Sequence, residues 1–403
     1  MLDRFRPLLD LIAPTAEVVN PEQEIDAIRE FARAIGHEAI YLSFNPLQQT
    51  LVNVGAPTVP VFAWEFDDLP DGSWNPDKPM ENWLFVLKNC GRCITHSTHA
   101  ATVVHAAMGR DFPVSVIPAP LPARIERHEP TVNVSPLDIE FTGRLVDSDL
   151  LSSTDSTRLF GKARGSFDLN YGGRGPTNTR EKAPIRHRVR IDREAVVYTA
   201  VFNPRDGRKN WRDMVNGFCV ALREENATLV LKVFGQQTQK FHAHLKGVLR
   251  RLQPIKCRVV VIDAVLDDGA YDALIKASHY ALNASLGEGQ CLPLMEFMAL
   301  GRPAVAPGHT GMLDYLDETS GFPYRSSAEP ASWPQDTSHR LTTTRQRVDI
   351  EALMNALVDS YAIARSNPAR YAALSAAASS RIRAWAGADS VERSLRDLIN
   401  AAS

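Results

Sequence analysis

Short apolar runs alternate with amphipathic segments along most of the chain. In the first part such runs occur at residues 39–43, 59–64, 93–95 and 113–117, and each has the length of a buried strand. Helical periodicity separates them, most clearly after Pro21, where a helix start is expected. Strands separated by helices predict parallel pairing, and therefore a doubly wound α/β sheet.

The same rhythm returns in the second half and predicts a second α/β sheet with its own core. From residue 349 to 402 the chain becomes Ala-rich and helical, with Pro368 expected in the first turn of a new helix. The predicted strands of the second sheet span 195–202, 228–234, 258–263, 280–284 and 304–306.

The domain boundaries follow from where this rhythm fails, between about 121 and 190. A chain of 403 residues is long enough for two domains. We predict a first domain over 1–190, with a polar basic insertion at about 121–190, and a second domain over 191–385. A C-terminal helix over 386–403 is then placed to pack back on the first domain.

The segment 151–190 is rich in Ser, Thr, Gly and Arg, with nine basic and three acidic residues. One interpretation is a solvated, flexible excursion. The other is a basic flap over a phosphorylated or membrane-bound substrate. Phe160, Phe167 and Tyr171 lie within it, so a reversible, salt-sensitive contact with acidic lipid headgroups is a further hypothesis.

The composition of the whole chain limits the classes of partner that we expect. With 45 basic and 47 acidic residues there is no global field for nucleic acid, so we expect no nucleic-acid partner. No apolar run is long enough for a membrane span, and no signal-peptide core is present, which predicts a cytoplasmic protein. Five scattered cysteines do not form a disulfide framework.

The stretch from Ser285 to Pro303 carries the clearest chemistry. It leaves a predicted strand, passes Gly287 and Gly289, and enters a helix whose first turn contains Pro293. Glycines allow close approach of a ligand to the backbone, and the free N–H groups at a helix start favour phosphate. The sequence therefore predicts a phosphate cradle at this strand-to-helix turn.

Two carboxylates flank this cradle, Glu288 in the loop and Glu296 in the helix. Beside a phosphate they would be repulsive unless they accept hydrogen bonds from hydroxyl groups, as on a sugar or a ribose. Acidic residues that merely complement the helix dipole are the alternative.

The pattern Glu288-Gly-x-x-Leu-Pro-x-x-Glu296, followed by Phe-Met-Ala-x-Gly301-x-Pro303, resembles the Glu-x7-Glu signature of retaining glycosyltransferases with the GT-B fold. The resemblance implies two Rossmann-like domains facing across a cleft. It also implies that Glu288 contacts the donor sugar and Glu296 the ribose. The backbone from Gly289 through Gln290 and Cys291 to Leu292 would then contact the diphosphate and sugar.

A second match follows the strand 195–202, where Lys209 is similar to the basic donor-loop residue of that family, with Arg208 or Arg205 as the arginine. Cations at the carboxyl end of a strand are placed to neutralise a diphosphate, although ordinary solvated charges in a turn are the alternative. Gly235 and Val265 end the next two strands, where the family lines its nucleotide pocket.

The first domain resembles the family less closely. Residues 59–70 are similar to a Trp-Glu variant of bacterial surface-polysaccharide members, with Glu65 where many relatives have His. Glu65 is therefore a candidate catalytic group on the acceptor side, or it caps the turn after a strand. The Gly-rich loop that many members carry after their first strand is absent from the sequence.

By resemblance, the chain is expected to transfer a hexose from a nucleoside diphosphate sugar, with GDP-mannose as the leading donor, to a glycan or lipid-linked hydroxyl at the inner face of the membrane. Protein cations would take the charge of the leaving diphosphate, so no metal or other cofactor is expected. The alternatives are a nucleotide-sugar epimerase or phosphorylase on the same fold, and a non-catalytic module that binds sugar nucleotides.

Overall fold

The structure is a computed structural model and describes residues 1–72, 77–151, 185–332 and 342–400. Its first domain is built on a four-stranded parallel sheet in the order β1-β2-β3-β4. These strands are β1 (Tyr41–Ser43), β2 (Thr58–Phe62), β3 (Cys93–Thr95) and β4 (Val114–Val116). The helices of this part are α1 (Leu2–Ile12), α2 (Pro21–Ala34), α3 (Trp83–Cys90) and α4 (Thr98–Met108).

Strand β2 is buried along its whole length, because helices cover both faces of the sheet. Val59 and Val61 pack against α1 on one face. Phe62 packs with residues of α3 and α4 on the other. Local signals begin these helices, since Asn82 and Ser97 cap α3 and α4 with side-chain oxygens.

The second domain is built on an eight-stranded sheet in the order β12-β11-β10-β7-β8-β9-β5-β6. The chain reaches it through the short helix α5 (Ala123–Glu126). The strands are β5 (Leu137–Asp147), β6 (Ile185–Ile191), β7 (Val196–Phe202), β8 (Ala227–Val233), β9 (Arg258–Asp263), β10 (Tyr280–Leu282), β11 (Ala304–Pro307) and β12 (Gly321–Tyr324). All neighbours from β12 to β9 pair in parallel, as the sequence predicts for β7 to β11, while β12 is a strand that it does not predict.

Helices cover both faces of this sheet and create two apolar layers. The helices of this part are α6 (Trp211–Ala221), α7 (Gln239–Leu252), α8 (Asp268–Lys276), α9 (Leu292–Ala299), α10 (Ile350–Ser366), α11 (Pro368–Ala386) and α12 (Ala388–Asn400). Helices α6, α7 and α10 pack on one face, and α8, α9 and α11 on the other. Pro368 lies in the first turn of α11, as predicted.

Strands β5 and β6 differ from the expectation that residues 1–190 belong to the first domain. They form an antiparallel pair, and β5 joins β9 at the edge of the second sheet. Leu137, Ile139 and Phe141 alternate with exposed polar residues and are buried on that sheet. The boundary between the two sheets therefore lies before residue 137.

The expected basic flap over 151–190 is wrong at its carboxyl end, because 185–191 is a strand. Residues 152–184 lie outside the described part of the chain. On the exposed side of β6, Arg188 pairs with Asp138 at 2.6 Å, Arg190 pairs with the same carboxylate at 3.2 Å, and Arg186 pairs with Glu140. These three arginines thus share two carboxylates of β5, Asp138 and Glu140, which offset two of their three positive charges.

A further hairpin, which the sequence does not predict, extends from the second domain toward the first. It consists of β13 (Ser326–Ser332) and β14 (Thr342–Val348), paired antiparallel. The backbone N–H of Asp67 donates to the Thr344 carbonyl at 3.3 Å, and the Thr343 hydroxyl donates to Asp68 at 3.3 Å. The hairpin therefore contacts the loop that follows β2.

Helix α12 returns to the first domain. Its Val391 and Leu395 are buried in the same apolar cluster as Phe5 of α1 and Val59 of β2. The first domain thus takes its last core residues from the far end of the sequence. Among the described helices, none combines the length and the apolar character required to cross a lipid bilayer.

Candidate active site

The loop between β10 and α9 lies at the carboxyl end of the second sheet, where α/β folds bind ligands. Within it Glu288 is only 5% exposed. Its Oε1 accepts hydrogen bonds from the Ser285 hydroxyl at 2.6 Å, the Lys209 ammonium at 2.6 Å and the Asn283 amide at 3.3 Å. The structure thus brings together a predicted donor-loop cation and the first predicted glutamate.

Lys209 and Glu288 each stabilise the charged form of the other. Burial alone would raise the pKa of Glu288, but the Lys209 ammonium, the Ser285 hydroxyl and Arg208 together lower it. Burial alone would lower the pKa of Lys209, but Glu288 raises it. Both groups therefore stay ionised at neutral pH, and a cation is held beside the start of α9.

The segment that follows β11 forms hydrogen bonds with the backbone of this loop. The Glu288 N–H donates to the Thr310 hydroxyl at 3.0 Å, and the Gly311 N–H donates to the Glu288 carbonyl at 2.9 Å. Burial lowers the pKa of the neighbouring His309 to about 4, so its ring is neutral. The loop backbone is consequently fixed before any ligand arrives.

The two predicted glycines are required because this loop contacts the first domain. A Cβ on Gly287 would lie 2.8 Å from the Glu65 carbonyl oxygen, and one on Gly289 would lie 2.7 Å from the Ala63 Cβ. Real Cβ atoms do not approach other atoms this closely. The strand-to-helix turn of the second domain therefore packs directly on the end of β2.

Glu65 faces Arg208 across the two domains and forms an ion pair with it. Arg208 is also held by Asp206 at 2.8 Å. Burial raises the pKa of Glu65 to about 7, although Arg208 acts in the opposite direction; Glu288, Asp206 and Lys209 are the other charges that affect it. Glu65 can thus exchange a proton near neutral pH.

This shifted pKa predicts a pH-dependent stability. The folded protein holds a proton on Glu65 between pH 4.5 and about 7, where the unfolded chain has lost it, so wild-type stability falls as pH rises through that window. In Glu65→Gln this loss is absent, and the variant gains up to about 3 kcal/mol relative to wild type across the window.

Urea unfolding at both ends of the window measures this difference. Glu140→Gln is the matched control, because Glu140 is exposed on β5 and pairs with Arg186 at the surface. A stability difference between Glu65→Gln and wild type that stays constant with pH would show that Glu65 does not titrate there.

The second predicted glutamate, Glu296, lies one turn into α9 and is 6% exposed. Arg4 of α1 donates a hydrogen bond to its Oε1, and Arg124 of α5 lies 3.7 Å from its Oε2. Arg124 is itself paired with Asp272 of α8. Glu296 therefore joins the second domain to the first domain and to the segment that connects them.

The remaining predicted residues are distributed around this centre. Gln290 exchanges two hydrogen bonds with the backbone of Ala119, at 3.0 and 3.3 Å. Cys291 adopts a left-handed conformation with φ of 60° just before α9, which begins at Leu292.

Three other predictions concern the rim of the site. Arg205 is exposed, and its side chain has no described contact with Glu65 or Glu288, so Arg208 is the arginine that the structure places beside Lys209. Gly235 has a φ of 124° at the end of β8. Val265 follows β9 and is 91% exposed.

Sequence reasoning missed Asn283, Ser285 and Thr310, which all bind Glu288. A signal was present, since Asn283 and Ser285 are polar residues that directly follow the buried strand β10. Arg4 was also missed, because nothing in a helical first segment indicates contact with a residue 292 positions away.

Two histidines that follow Cys90 and Cys93 in the sequence, His96 and His99, contact backbone carbonyl groups. His96 is buried, its Nδ1 lies 2.9 Å from the Ile117 carbonyl, and burial lowers its pKa to about 4. His99 Nε2 lies 3.1 Å from the Phe66 carbonyl. Within the described ranges, no three His, Cys, Asp or Glu residues are grouped as a metal site.

Part of the second domain matches a known protein family. Residues 193–337 match the family model described as glycosyl transferases group 1, which is less than half of the chain. Comparison with curated protein sequences gave no match.

Solved structures match the chain over both domains. HepE from Anabaena in complex with UDP has a TM-score of 0.57 at 13% identity, covering 98% of this chain and 89% of that one. Sucrose-phosphate synthase from Thermosynechococcus elongatus has a TM-score of 0.55 at 14% identity, covering 97% and 82%. TarM from S. aureus, in complex with UDP, has a TM-score of 0.53 at 9% identity, covering 86% and 52%.

The chain thus spans about half the length of TarM. At these identities the likeness concerns the fold, which is GT-B, with two Rossmann-like α/β domains.

Proposed function

We propose that this protein is a retaining glycosyltransferase that transfers a hexose from a nucleoside diphosphate sugar to a hydroxyl of a glycan or lipid-linked acceptor in surface-polysaccharide synthesis. The observation that carries the proposal is the ion pair between the half-buried Lys209 and the buried Glu288, 2.6 Å apart at the start of α9. It lies inside the segment that matches the group 1 glycosyltransferase model.

In this proposal the donor diphosphate lies against Lys209, Arg208 and the N-terminus of α9. When the bond between the anomeric carbon and the diphosphate oxygen breaks, negative charge grows on the leaving group. Fixed cations and backbone N–H groups stabilise that charge without reorganising. Because these protein groups supply the positive charge, we propose a reaction without a metal or other cofactor.

The two glutamates and the nearby backbone have separate roles. Glu288 accepts hydrogen bonds from sugar hydroxyls, while Glu296 accepts those of the ribose. Gly235 and Val265 line the pocket for the base. We assign the sugar and diphosphate contacts to the backbone from Gly287 to Leu292.

Glu65 is proposed to act on the acceptor side. Its backbone lies against Gly287 of the cradle, and its pKa of about 7 suits a group that accepts a proton from an attacking hydroxyl. The ion pair with Arg208 holds it at the meeting point of the two domains.

For the donor we propose GDP-mannose, with uridine donors as the immediate comparison because HepE and TarM are described in complexes that contain UDP. A lipid-linked acceptor would place the enzyme at the inner face of the membrane. The predicted membrane contact through 151–190 rests on residues outside the described ranges, apart from the three paired arginines of β6.

A donor screen tests the function directly. Thermal shift with GDP-, UDP-, ADP- and dTDP-sugars should show stabilisation by one nucleotide class, and that donor should be hydrolysed slowly without an acceptor. Proton NMR of the transferred sugar should show the anomeric configuration of the donor.

Three results would contradict the proposal. If no sugar nucleotide stabilises the protein in the thermal-shift screen, the proposed donor site is wrong. Binding without hydrolysis or transfer to any polyprenyl-linked or soluble glycan would indicate a non-catalytic module. Release of an epimerised nucleotide sugar would indicate an epimerase.

A further inference from the structure

Arg4 makes an unusual connection for a residue in the first helix. Its side chain is 19% exposed and reaches Glu296, whose side chain is 8% exposed. It also donates to the Pro120 carbonyl at 3.2 Å. The guanidinium therefore bridges the first domain, the connecting segment and the second proposed donor-site glutamate.

Arg4, Arg124 and Tyr271 surround the Glu296 carboxylate. Arg124 is occupied elsewhere, since it pairs with Asp272, lies 3.4 Å from Asp268 and stacks over the Tyr271 ring at 5.1 Å. Burial, followed by the Glu296 carboxylate, raises the pKa of Tyr271 well above its usual value, so this phenol stays neutral. Arg4 is thus the charged hydrogen-bond donor to Glu296.

We propose that Arg4 is a positioning residue for ribose recognition, acting through Glu296, and that it makes preference for a ribonucleotide donor depend on contact between the two domains. The proposal rests on the function proposed above. A carboxylate has about four lone-pair sites, so the Arg4 guanidinium and the Tyr271 hydroxyl, which also hydrogen-bonds to Glu296, leave room for ribose hydroxyls. The guanidinium also fixes the plane of the carboxylate to which they must donate.

The contact crosses the domains because α1 belongs to the core of the first one. Phe5 and Leu8, which flank Arg4 on this helix, are buried there. Arg4 therefore reaches Glu296 only while the first domain lies against α9. Closure of the domains and correct presentation of Glu296 then favour each other, as linked equilibria must.

The test compares nucleotides that differ only at the 2′ position. Isothermal titration calorimetry with UDP and GDP, each against its 2′-deoxy form, should show that wild type prefers the ribonucleotide by about tenfold, the effect of a hydrogen bond to a charged group. Glu296→Gln and Arg4→Gln should each remove most of that preference. The double variant should lose no more than either single variant.

Two further variants control the result. Arg4→Lys keeps a cation and should retain part of the preference, while Arg6→Gln should match wild type. Arg6 lies on the same helix, but it is half exposed and pairs at the surface with Glu17 at 2.6 Å. It therefore reports any general effect of removing an arginine from α1.

The possible failures are distinguishable. If Arg4→Gln weakens ribo- and deoxynucleotides by the same factor, Arg4 is only structural and the inference is wrong, while the proposed function stands. Wild type that binds nucleotides without 2′ discrimination also overturns the inference. Wild type that binds no nucleoside diphosphate contradicts the proposed function itself.

Discussion

Lys209→Met is expected to lower kcat by a factor of about 10² to 10³, the usual effect of removing one preorganised group that stabilises transition-state charge. Lys209 is fixed by Glu288 at 2.6 Å, so it meets the leaving diphosphate without having to move. The donor KM should change less than kcat, because the charge on the bridging oxygen grows only as the bond breaks. Steady-state transfer kinetics, with the donor that the thermal-shift screen selects, measure both constants.

Loss of Lys209 also leaves Glu288 buried without its counter-ion, which should cost about 3 kcal/mol or more of stability. A second variant separates this effect from chemistry. Lys209→Met combined with Glu288→Gln should recover stability but not turnover. Lys256→Met is the matched control, since Lys256 is exposed and pairs with Glu224 at the surface. Turnover equal to wild type in Lys209→Met would remove Lys209 from the proposed mechanism.

Gly311→Ala is expected to disrupt the second domain strongly. A Cβ at this position would lie 2.3 Å from the Gly289 carbonyl oxygen and 3.0 Å from that of Glu288. Both are backbone atoms, so the cradle itself must shift. We expect a loss of about 3 kcal/mol in unfolding free energy, at the upper end of the usual range for overpacked cores.

Donor binding should weaken in the same variant, because the displaced backbone is the proposed contact for the diphosphate. Chemical unfolding and calorimetric titration check the two effects separately. Gly247→Ala is the control, and it is expected to stabilise the protein. A Cβ on Gly247, in α7, would have no atom from outside its own helix within 4 Å, and Ala favours a helix over Gly by about 1 kcal/mol. A Gly311→Ala protein as stable as wild type would show that the loop yields easily.

The sequence predicts the parallel strands well, because burial on both faces leaves a continuous apolar run. β8 and β9 are examples, with 227–233 buried throughout. Glu288, Gly289 and Glu296 were identifiable for another reason, since a loop and the helix it begins keep their residues close in the sequence. The functional roles of these residues stay predictions.

Elements stabilised by distant partners were not predictable in the same way. In β5 apolar residues alternate with polar ones, and the charges of Asp138 and Glu140 pair with arginines of β6, which lies far along the chain. The hairpin β13–β14 has mostly small and polar residues, with little apolar pattern to mark it. The contact of Arg4 with Glu296 depends on how two separately folded sheets are placed.

The position of α12 has a consequence for biosynthesis. Val391 and Leu395 complete the core beneath β2, yet the ribosome adds them only after the whole second domain. During translation the nascent first domain therefore presents an uncovered apolar surface to the cytosol or to chaperones. The order of synthesis and the order of assembly are reversed for this domain, so its core is sealed after the second domain has been made.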